Sequence, residues 1–259
     1  MSGCTLCPRM CGADREHGAL GFCGMPAEIY AARAALHFWE EPPISGEKGS
    51  GAVFFSGCSL GCGFCQNTEI SQGKFGKAIS TQRLREIFGE LMDQGAHNIN
   101  LVTPTHFLPQ ILPALEPKLP VPVVYNCGGY ERVETLRMLE GKVDIYLPDL
   151  KFAEPELAKQ LCSAADYFPV AARAIDEMLR QVGRPVYGED GMLKKGVIIR
   201  HLVLPGQVQN SLKVLDYIAD HFPRGSILVS LMAQFVPSGR LKHTPPFDRT
   251  VTREEYEAV

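Results

Sequence analysis

Ser56-Gly57-Cys58-Ser59-Leu60-Gly61-Cys62-Gly63-Phe64-Cys65-Gln66-Asn67 places three cysteines in a C-x3-C-x2-C spacing within a glycine-rich loop. An aromatic residue precedes the last cysteine, and an apolar run over 52–56, which reads as a strand, leads into the loop. Three thiolates on one loop can hold three irons of a 4Fe–4S cluster. The fourth iron then has no ligand from the loop and stays open to a small molecule, as the open position of a catalytic zinc does.

Nine cysteines in 259 residues also admit disulfides, zinc or scattered core thiols. Disulfides belong to oxidising compartments and mostly to small secreted domains. This chain opens Met-Ser-Gly-Cys without the apolar segment of a signal peptide. No apolar run approaches the roughly 20 residues that span a bilayer. The expected setting is a reduced cytoplasm with metal-bound thiols. A chain of this length buries a substantial core without disulfides. Its formal charge of −3 leaves no electrostatic footprint for nucleic acid or a membrane surface. The 19 prolines and 25 glycines are spread along the chain and mark turns.

From residue 52 onward, apolar extended runs alternate with helical patterns. Strands are expected over 52–56, 98–102, 121–125, 143–147, 197–204 and 226–231. Thr81 caps a helix whose Leu84, Ile87, Phe88, Leu91 and Met92 form one apolar face at a 3.6-residue period, and Gly95 stops it. Further helical patterns cover 107–115, 131–139, 154–163, 166–181 and 211–221. Short buried strands separated by helices predict a parallel sheet with right-handed crossovers. Six such units predict an α/β fold of partial (β/α)6 barrel type, with an open doubly wound sheet as the alternative.

In a barrel, reactive groups follow the carboxyl ends of the strands. Cys58, Cys62 and Cys65 follow strand one, and Thr103-Pro104-Thr105-His106 follow strand two. Asn126-Cys127-Gly128-Gly129-Tyr130 follow strand three, and Asp149-Leu150-Lys151 follow strand four. Arg200 and His201 lie in strand five, and Gln234 follows strand six. His201 on the mouth side would reach a cofactor or substrate. Asp149 would hold Lys151 in place or cap the next turn.

Residues 1–50 stand outside this alternation as a small cysteine-rich module, with the barrel over 51–259. The module carries Cys4, Cys7 and Cys11 in a C-x2-C-x3-C spacing, then Cys23 with turn glycines. This set suits an auxiliary iron–sulfur cluster or a structural zinc equally. The stretch 29–38 is ambiguous between strand and helix, and Glu40-Glu41-Pro42-Pro43 reads as a turn into the barrel. Near the other end, Thr252 and Glu255 form a capping-box pattern with about one helical turn left. Either the chain is cut short or that turn packs on the barrel.

The loop Gly57–Asn67 resembles the cluster loop of the radical S-adenosylmethionine (SAM) superfamily. The phrases Asn98 to His106, Tyr125 to Glu131, Val143 to Lys151, Arg200 to Gly206 and Ser230 to Gln234, with the N-terminal Cys4-Thr5-Leu6-Cys7-Pro8-Arg9-Met10-Cys11, resemble the pyruvate formate-lyase activating enzyme group within it. The resemblance implies that Cys58, Cys62 and Cys65 ligate the cluster and that SAM chelates the free iron. It implies that Phe64 packs on the adenine, that Lys151 pairs with the SAM carboxylate and that Gln234 contacts the ribose or adenine. Thr103-Pro104-Thr105 stands where the group offers Gly-Gly-Glu to the SAM amino group, so Thr103 and Thr105 take that place here. Asn126 stands where an aspartate is frequent.

The implied activity is that of an oxidoreductase. One electron from the cluster cleaves SAM to methionine and a 5′-deoxyadenosyl radical, which abstracts hydrogen from a protein or peptide, such as the glycine of a glycyl-radical enzyme. A flavodoxin- or ferredoxin-type donor supplies the electron. The competing readings are radical modification of another peptide or small molecule, and a non-catalytic iron–sulfur or zinc protein.

Overall fold

The computed structural model describes residues 3–259. Its centre is a mostly parallel sheet. The strands are β1 (Ile29–His37), β2 (Ser50–Phe55), β3 (Lys77–Ile79), β4 (Ile99–Val102), β5 (Val123–Cys127), β6 (Ile145–Pro148), β7 (Val186–Tyr187), β8 (Leu193–Leu202) and β9 (Leu228–Met232). They run in the order β3-β1-β2-β4-β5-β6-β8, with both β7 and β9 paired to β8. The six strands β2, β4, β5, β6, β8 and β9 are parallel neighbours. They are the six units legible in the apolar runs.

The helices are α1 (Pro42–Ser45), α2 (Thr68–Ser71), α3 (Thr81–Asp93), α4 (Leu108–Ile111), α5 (Val133–Arg137), α6 (Pro155–Cys162), α7 (Tyr167–Val182), α8 (Val208–His221) and α9 (Arg253–Glu257). α3 begins one residue earlier than the pattern suggests. Ser80 is its cap, with Oγ accepting from Arg83 N at 3.0 Å, while Thr81 opens the helix and bonds the Gln110 carbonyl at 2.9 Å. The expected helix over 107–115 is broken. α4 is one turn, and Leu112–Leu115 continues as a 3-10 turn, because Pro109 and Pro113 lack an N–H and each starts a new short helix.

The ambiguous stretch resolves as β1, antiparallel to β2 with Ala34 opposite Val53. Residues 29–37 are therefore part of the sheet. β3 pairs antiparallel on the other side of β1, and β7 on β8. These antiparallel edges were not expected. At the far end, the Thr252–Glu255 capping box forms. Glu255 accepts from Gly206 N at 2.7 Å and Tyr256 donates to the Leu231 carbonyl at 3.3 Å, so the last turn packs on the barrel.

Apolar side chains divide into two layers. Val53, Phe55, Ile99, Leu101, Val123, Tyr125, Tyr146, Val197 and Ile199 face the helices in one large core. Val124, Ile145, Leu147 and Ile198 face the other way and close around Ile44 of α1. Alternation along each strand produces both layers from the same runs. Ile44 seals the inner face, so the polar groups further along the same strands gather at the open end.

Candidate functional site

The chain leaves β2 through Gly57, whose φ is +83°. A Cβ there would stand 2.4 Å from Met25 and 2.7 Å from the Cys23 carbonyl oxygen. Only glycine admits both the left-handed turn and this close approach. Cys65 N donates to Cys62 O at 3.2 Å and closes the next turn. Leu60 N donates to Cys58 Sγ at 3.3 Å, and Ser71 Oγ donates to Cys65 Sγ at 3.3 Å. Arg9 clamps the loop from outside. Its guanidinium donates to the carbonyls of Ser59 (2.9 Å), Leu60 (3.3 Å), Cys162 (2.7 Å) and Ser163 (2.5 Å).

Cys58, Cys62 and Cys65 line one cavity of about 190 Å³ together with Thr103, Asn126, Cys127, Asp149, Lys151 and Arg200. Burial, reinforced by neighbouring thiols, pushes the Cys58 thiol up to about 12. A hydrogen bond with Cys162 and burial raise Cys62, against the pull of Lys151. Burial thus favours the protonated Cys58 and Cys62 thiols, and a bound metal displaces those protons. The donor set suits a 4Fe–4S group: three thiols line the cavity, and polar groups in the same lining could hold a ligand of the remaining iron. Among the described residues no three Cys, His, Asp or Glu side chains meet at the spacing of a single metal ion.

A knot of charge lines the same cavity. Asp149 accepts from Arg200 Nε at 2.9 Å and from Lys151 Nζ at 2.5 Å. Arg200 also donates to Glu40 at 2.7 Å and to Asn126 Oδ1 at 2.8 Å. Glu40 bonds the amides of Asn100 at 3.2 Å and Asn126 at 3.3 Å. Burial opposes ionisation of Asp149, but Arg200 and Lys151 outweigh it and hold the carboxyl below its usual range. Burial likewise works against the charge on Lys151, and Asp149 and then Cys62 overcome it, so its pKa is raised. The buried Asn100 Oδ1 has no hydrogen-bond partner among the described residues.

The structure brings Cys58, Cys62, Cys65, Thr103, Asn126 and Lys151 to one cavity. Thr103 is held with φ +58°, its N–H donating to Asn126 O at 2.8 Å. Phe64 and Gln234 line an adjoining compartment of about 240 Å³ that shares Cys62, Cys65, Asp149, Lys151 and Arg200. The Phe64 ring packs at 6.3 Å on Phe152 and 6.1 Å on Phe235.

Two expected mouth residues point elsewhere. Thr105 is buried and donates to Glu131 at 2.8 Å while accepting from Tyr125 at 2.9 Å. His201 is buried with both ring nitrogens engaged, Nδ1 with the Leu150 carbonyl at 2.6 Å and Nε2 with Ser211 Oγ at 2.8 Å. A carbonyl only accepts, so Nδ1 carries the proton and Nε2 accepts from the serine. Neighbours in a strand face opposite sides, so Arg200 in the mouth puts His201 against α8. Glu40 was read only as part of a turn, and Arg200 was given no role. The parity of β8 would have separated Arg200 from His201. Nothing local marks Glu40.

The N-terminal module docks on the barrel through Arg9 and through Arg132 and Thr135, which donate to the carbonyls of Thr5 (2.6 Å) and Leu6 (2.8 Å). Cys7 and Cys23 are buried, Cys4 is half-buried and Cys11 is exposed. No helix among the described residues is long and apolar enough to cross a membrane.

Residues 44–108, which include β2 and the three-cysteine loop, match the family described as a 4Fe-4S single cluster domain. The uncharacterized protein MJ0674 of Methanocaldococcus jannaschii is 32% identical over 265 residues, covering 98% of this chain and 72% of that protein. The solved structure of methylornithine synthase (PylB) superposes with a TM-score of 0.54 at 16% identity, over 78% of this chain and 57% of that one. SuiB of Streptococcus suis bound to S-adenosylmethionine matches with a TM-score of 0.47 at 15% identity, over 67% of this chain and 37% of that one. The chain thus spans 57% and 37% of these two solved chains. The likeness to methylornithine synthase is one of fold, the α/β fold of radical SAM enzymes. The chain belongs to the same family as the uncharacterized M. jannaschii protein MJ0674.

Proposed function

We propose that this protein is a radical SAM enzyme acting on a protein or peptide. The observation that carries the reading is one cavity lined both by the three thiols and by the Asp149–Lys151–Arg200 knot. Cys58, Cys62 and Cys65 would hold the 4Fe–4S cluster. When bound, the cluster supplies one electron for reductive cleavage of SAM to the 5′-deoxyadenosyl radical that abstracts hydrogen from the substrate.

The chain's own residues bind and orient. Lys151, kept cationic by Asp149, faces the site of the SAM carboxylate. Thr103 and Asn126 offer hydroxyl, carbonyl and amide oxygens to the amino group. Phe64 and Gln234 border the compartment for the nucleoside. Thr105 and His201 support the walls from behind. The inner seal at Ile44 keeps water from the floor.

A peptide segment suits the sheet, which does not close. β3 and β9 stand at opposite ends of the strand order, and β9 borders the second compartment through Met232. A glycine of a glycyl-radical enzyme is the finer reading, with a flavodoxin- or ferredoxin-type donor in the cytoplasm. The N-terminal thiols are read as a second metal site of iron–sulfur or zinc type.

The test is anaerobic incubation of the cluster-loaded protein with SAM and dithionite. 5′-Deoxyadenosine is expected from the native chain and not from the Cys58→Ala/Cys62→Ala/Cys65→Ala variant. A cluster-replete protein that forms none overturns the reading. Transfer of deuterium from a glycine-labelled peptide into 5′-deoxyadenosine separates the glycyl target from other substrates.

A further inference from the structure

We propose that the surface around the three-cysteine loop is the docking site of an acidic electron-carrier protein, held there by Lys74, Arg240 and Lys242. The proposal rests on the reading of this loop as the seat of a one-electron cluster, and it names the face through which that electron arrives.

Two segments lie against the loop from outside. The first follows α2, where Gln72 Nε2 donates to the Cys62 carbonyl at 3.1 Å. Lys74 and Phe75 come next, and both are exposed. The second follows β9 and covers residues 63–65. Leu241 N donates to the Gly63 carbonyl at 3.1 Å, and Ser238 Oγ donates to the Phe64 carbonyl at 2.9 Å. A Cβ on Gly63 would stand 2.9 Å from Arg240 Nε, so this arginine lies on the backbone beside Cys62. Gly239 has φ +63°, and a Cβ there would stand 2.4 Å from the Gly63 oxygen and 3.3 Å from Cys65 N. Glycine lets the second segment sit flush on the loop.

The surface built this way is rich in cations. Lys74, Arg240 and Lys242 are exposed, and none of them forms an ion pair among the described residues. Glu69 is the single acidic residue between Glu47 and Glu86, a span that holds the loop and the first segment. The cover has none between Met232 and Asp248. Arg249, just past the cover, is by contrast paired with Glu255 at 2.7 Å. Phe75 and Val236 are exposed in the same two segments and add apolar contact area. Apolar area with a charged surround is the make-up of a protein interface.

Chemistry narrows the occupant. Electron transfer falls steeply with distance, and a protein seated on these cations lies against the backbone that carries Cys62 and Cys65. Complementary charge speeds such encounters without demanding a long-lived complex. Three cations fall short of the roughly 6–10 phosphate contacts of a strong nucleic-acid binder. An acidic redox protein matches both the charge and the task. With a flavodoxin as donor, one electron leaves the flavin hydroquinone, which becomes the semiquinone, and the oxidised cluster takes it up. No bond is made or broken.

The test is binding of a flavodoxin of net negative charge to the full-length protein, read by fluorescence anisotropy with and without the cluster. The native chain is expected to bind it at low ionic strength and to lose affinity as salt rises and screens the charges. Lys74→Glu/Lys242→Glu is expected to weaken binding by about tenfold or more and to flatten the salt dependence, because like charges then face each other. Arg240 is left in place because it packs on Gly63. Lys48→Glu/Arg224→Glu makes the same change of charge before β2 and β9, at the other end of the sheet, and is expected to bind as the native chain does. No binding by the native chain, or equal binding by all three proteins, overturns the proposal, and so do equal losses in the two variants. A single-stranded RNA that binds more tightly than flavodoxin and is lost in Lys74→Glu/Lys242→Glu overturns the choice of partner. Circular dichroism checks folding, and Lys74→Gln/Lys242→Gln takes the same readings if the first variant does not fold. 5′-Deoxyadenosine formation with dithionite is read separately. If it fails while patch-dependent binding holds, the docking site stands and the radical reading falls; if it succeeds while the native chain binds no flavodoxin, the reverse is true.

Discussion

Asp149 and Arg200 meet at 2.9 Å across the tips of neighbouring parallel strands, and Lys151 takes the second oxygen of the same carboxylate at 2.5 Å. One buried anion thus holds two cations whose other neighbours are Glu40, Asn126 and the thiol wall. The pairing sets the direction in which Lys151 points and keeps it charged.

Asp149→Asn leaves two half-buried cations short of a partner. Loss of one member of a buried ionic group costs about 3–5 kcal/mol, measured by chemical denaturation at neutral pH. The pH dependence follows from the depressed carboxyl. The unfolded chain takes up this proton first, near 3.8, so the contribution is complete above that value and is lost as pH falls through the lower folded value. The variant lacks this part of the acid transition.

Lys151→Met separates binding from stability. Asp149 keeps Arg200, so the fold loses less than in Asp149→Asn. The cation facing the cavity is gone, and SAM affinity drops by about tenfold or more, the scale of one charge-assisted hydrogen bond. Equilibrium dialysis of the cluster-loaded variant reads this, and an unchanged affinity would remove Lys151 from the binding role.

Glu131 gives stability a slope of opposite sign. Its carboxyl is buried between Thr105 and Tyr125, and burial pushes it up to about 7. The folded state keeps the proton longer than the unfolded chain does. Stability therefore falls as pH rises from about 4.5 to about 7 and levels above that. The total is about 3 kcal/mol at 1.36 kcal/mol per pH unit. Glu131→Gln flattens this segment of the denaturation profile.

His201→Ala is a stability variant, not a binding one. It removes a buried ring bonded at both nitrogens and leaves the Leu150 carbonyl and Ser211 without it, which costs about 2–4 kcal/mol. Burial lowers the pKa of His201. The unfolded chain protonates first, so native stability declines as pH falls below 6.5, and the variant loses this decline. SAM affinity measured on the folded fraction stays unchanged.

The six parallel strands were legible because each is a short apolar run, and most of them are buried on both faces, β9 being the half-exposed exception. The antiparallel strands were not. β3 is three residues long and largely exposed, and only its pairing with Ile29–Ala31 makes it a strand. The three thiols of the mouth were legible from their spacing together with the glycine-rich loop and the apolar run before it. Glu40 was not, because its role depends on residues 60, 86 and 160 positions away in the chain. Thr105 and His201 were misplaced for a different reason. A position after or within a strand fixes the end of the sheet but not the face, and for His201 the face follows from the parity of Arg200. Pro109 and Pro113 carried the signal that splits the helix over 107–115, and apolar spacing masked it.

The span between Glu40 and Arg200 also fixes an order of assembly. The charged part of the cavity lining closes only when residue 200 has been made and has returned to the start of the chain, a loop of 160 residues with a matching entropic cost. Arg9 adds a second tie of similar length to the Cys162 carbonyl. A nascent chain that has emerged only as far as β6 presents its cysteines without the full set of charges. Under the proposed function, a centre loaded with iron and sulfide would face its charged wall only on a chain made past residue 200.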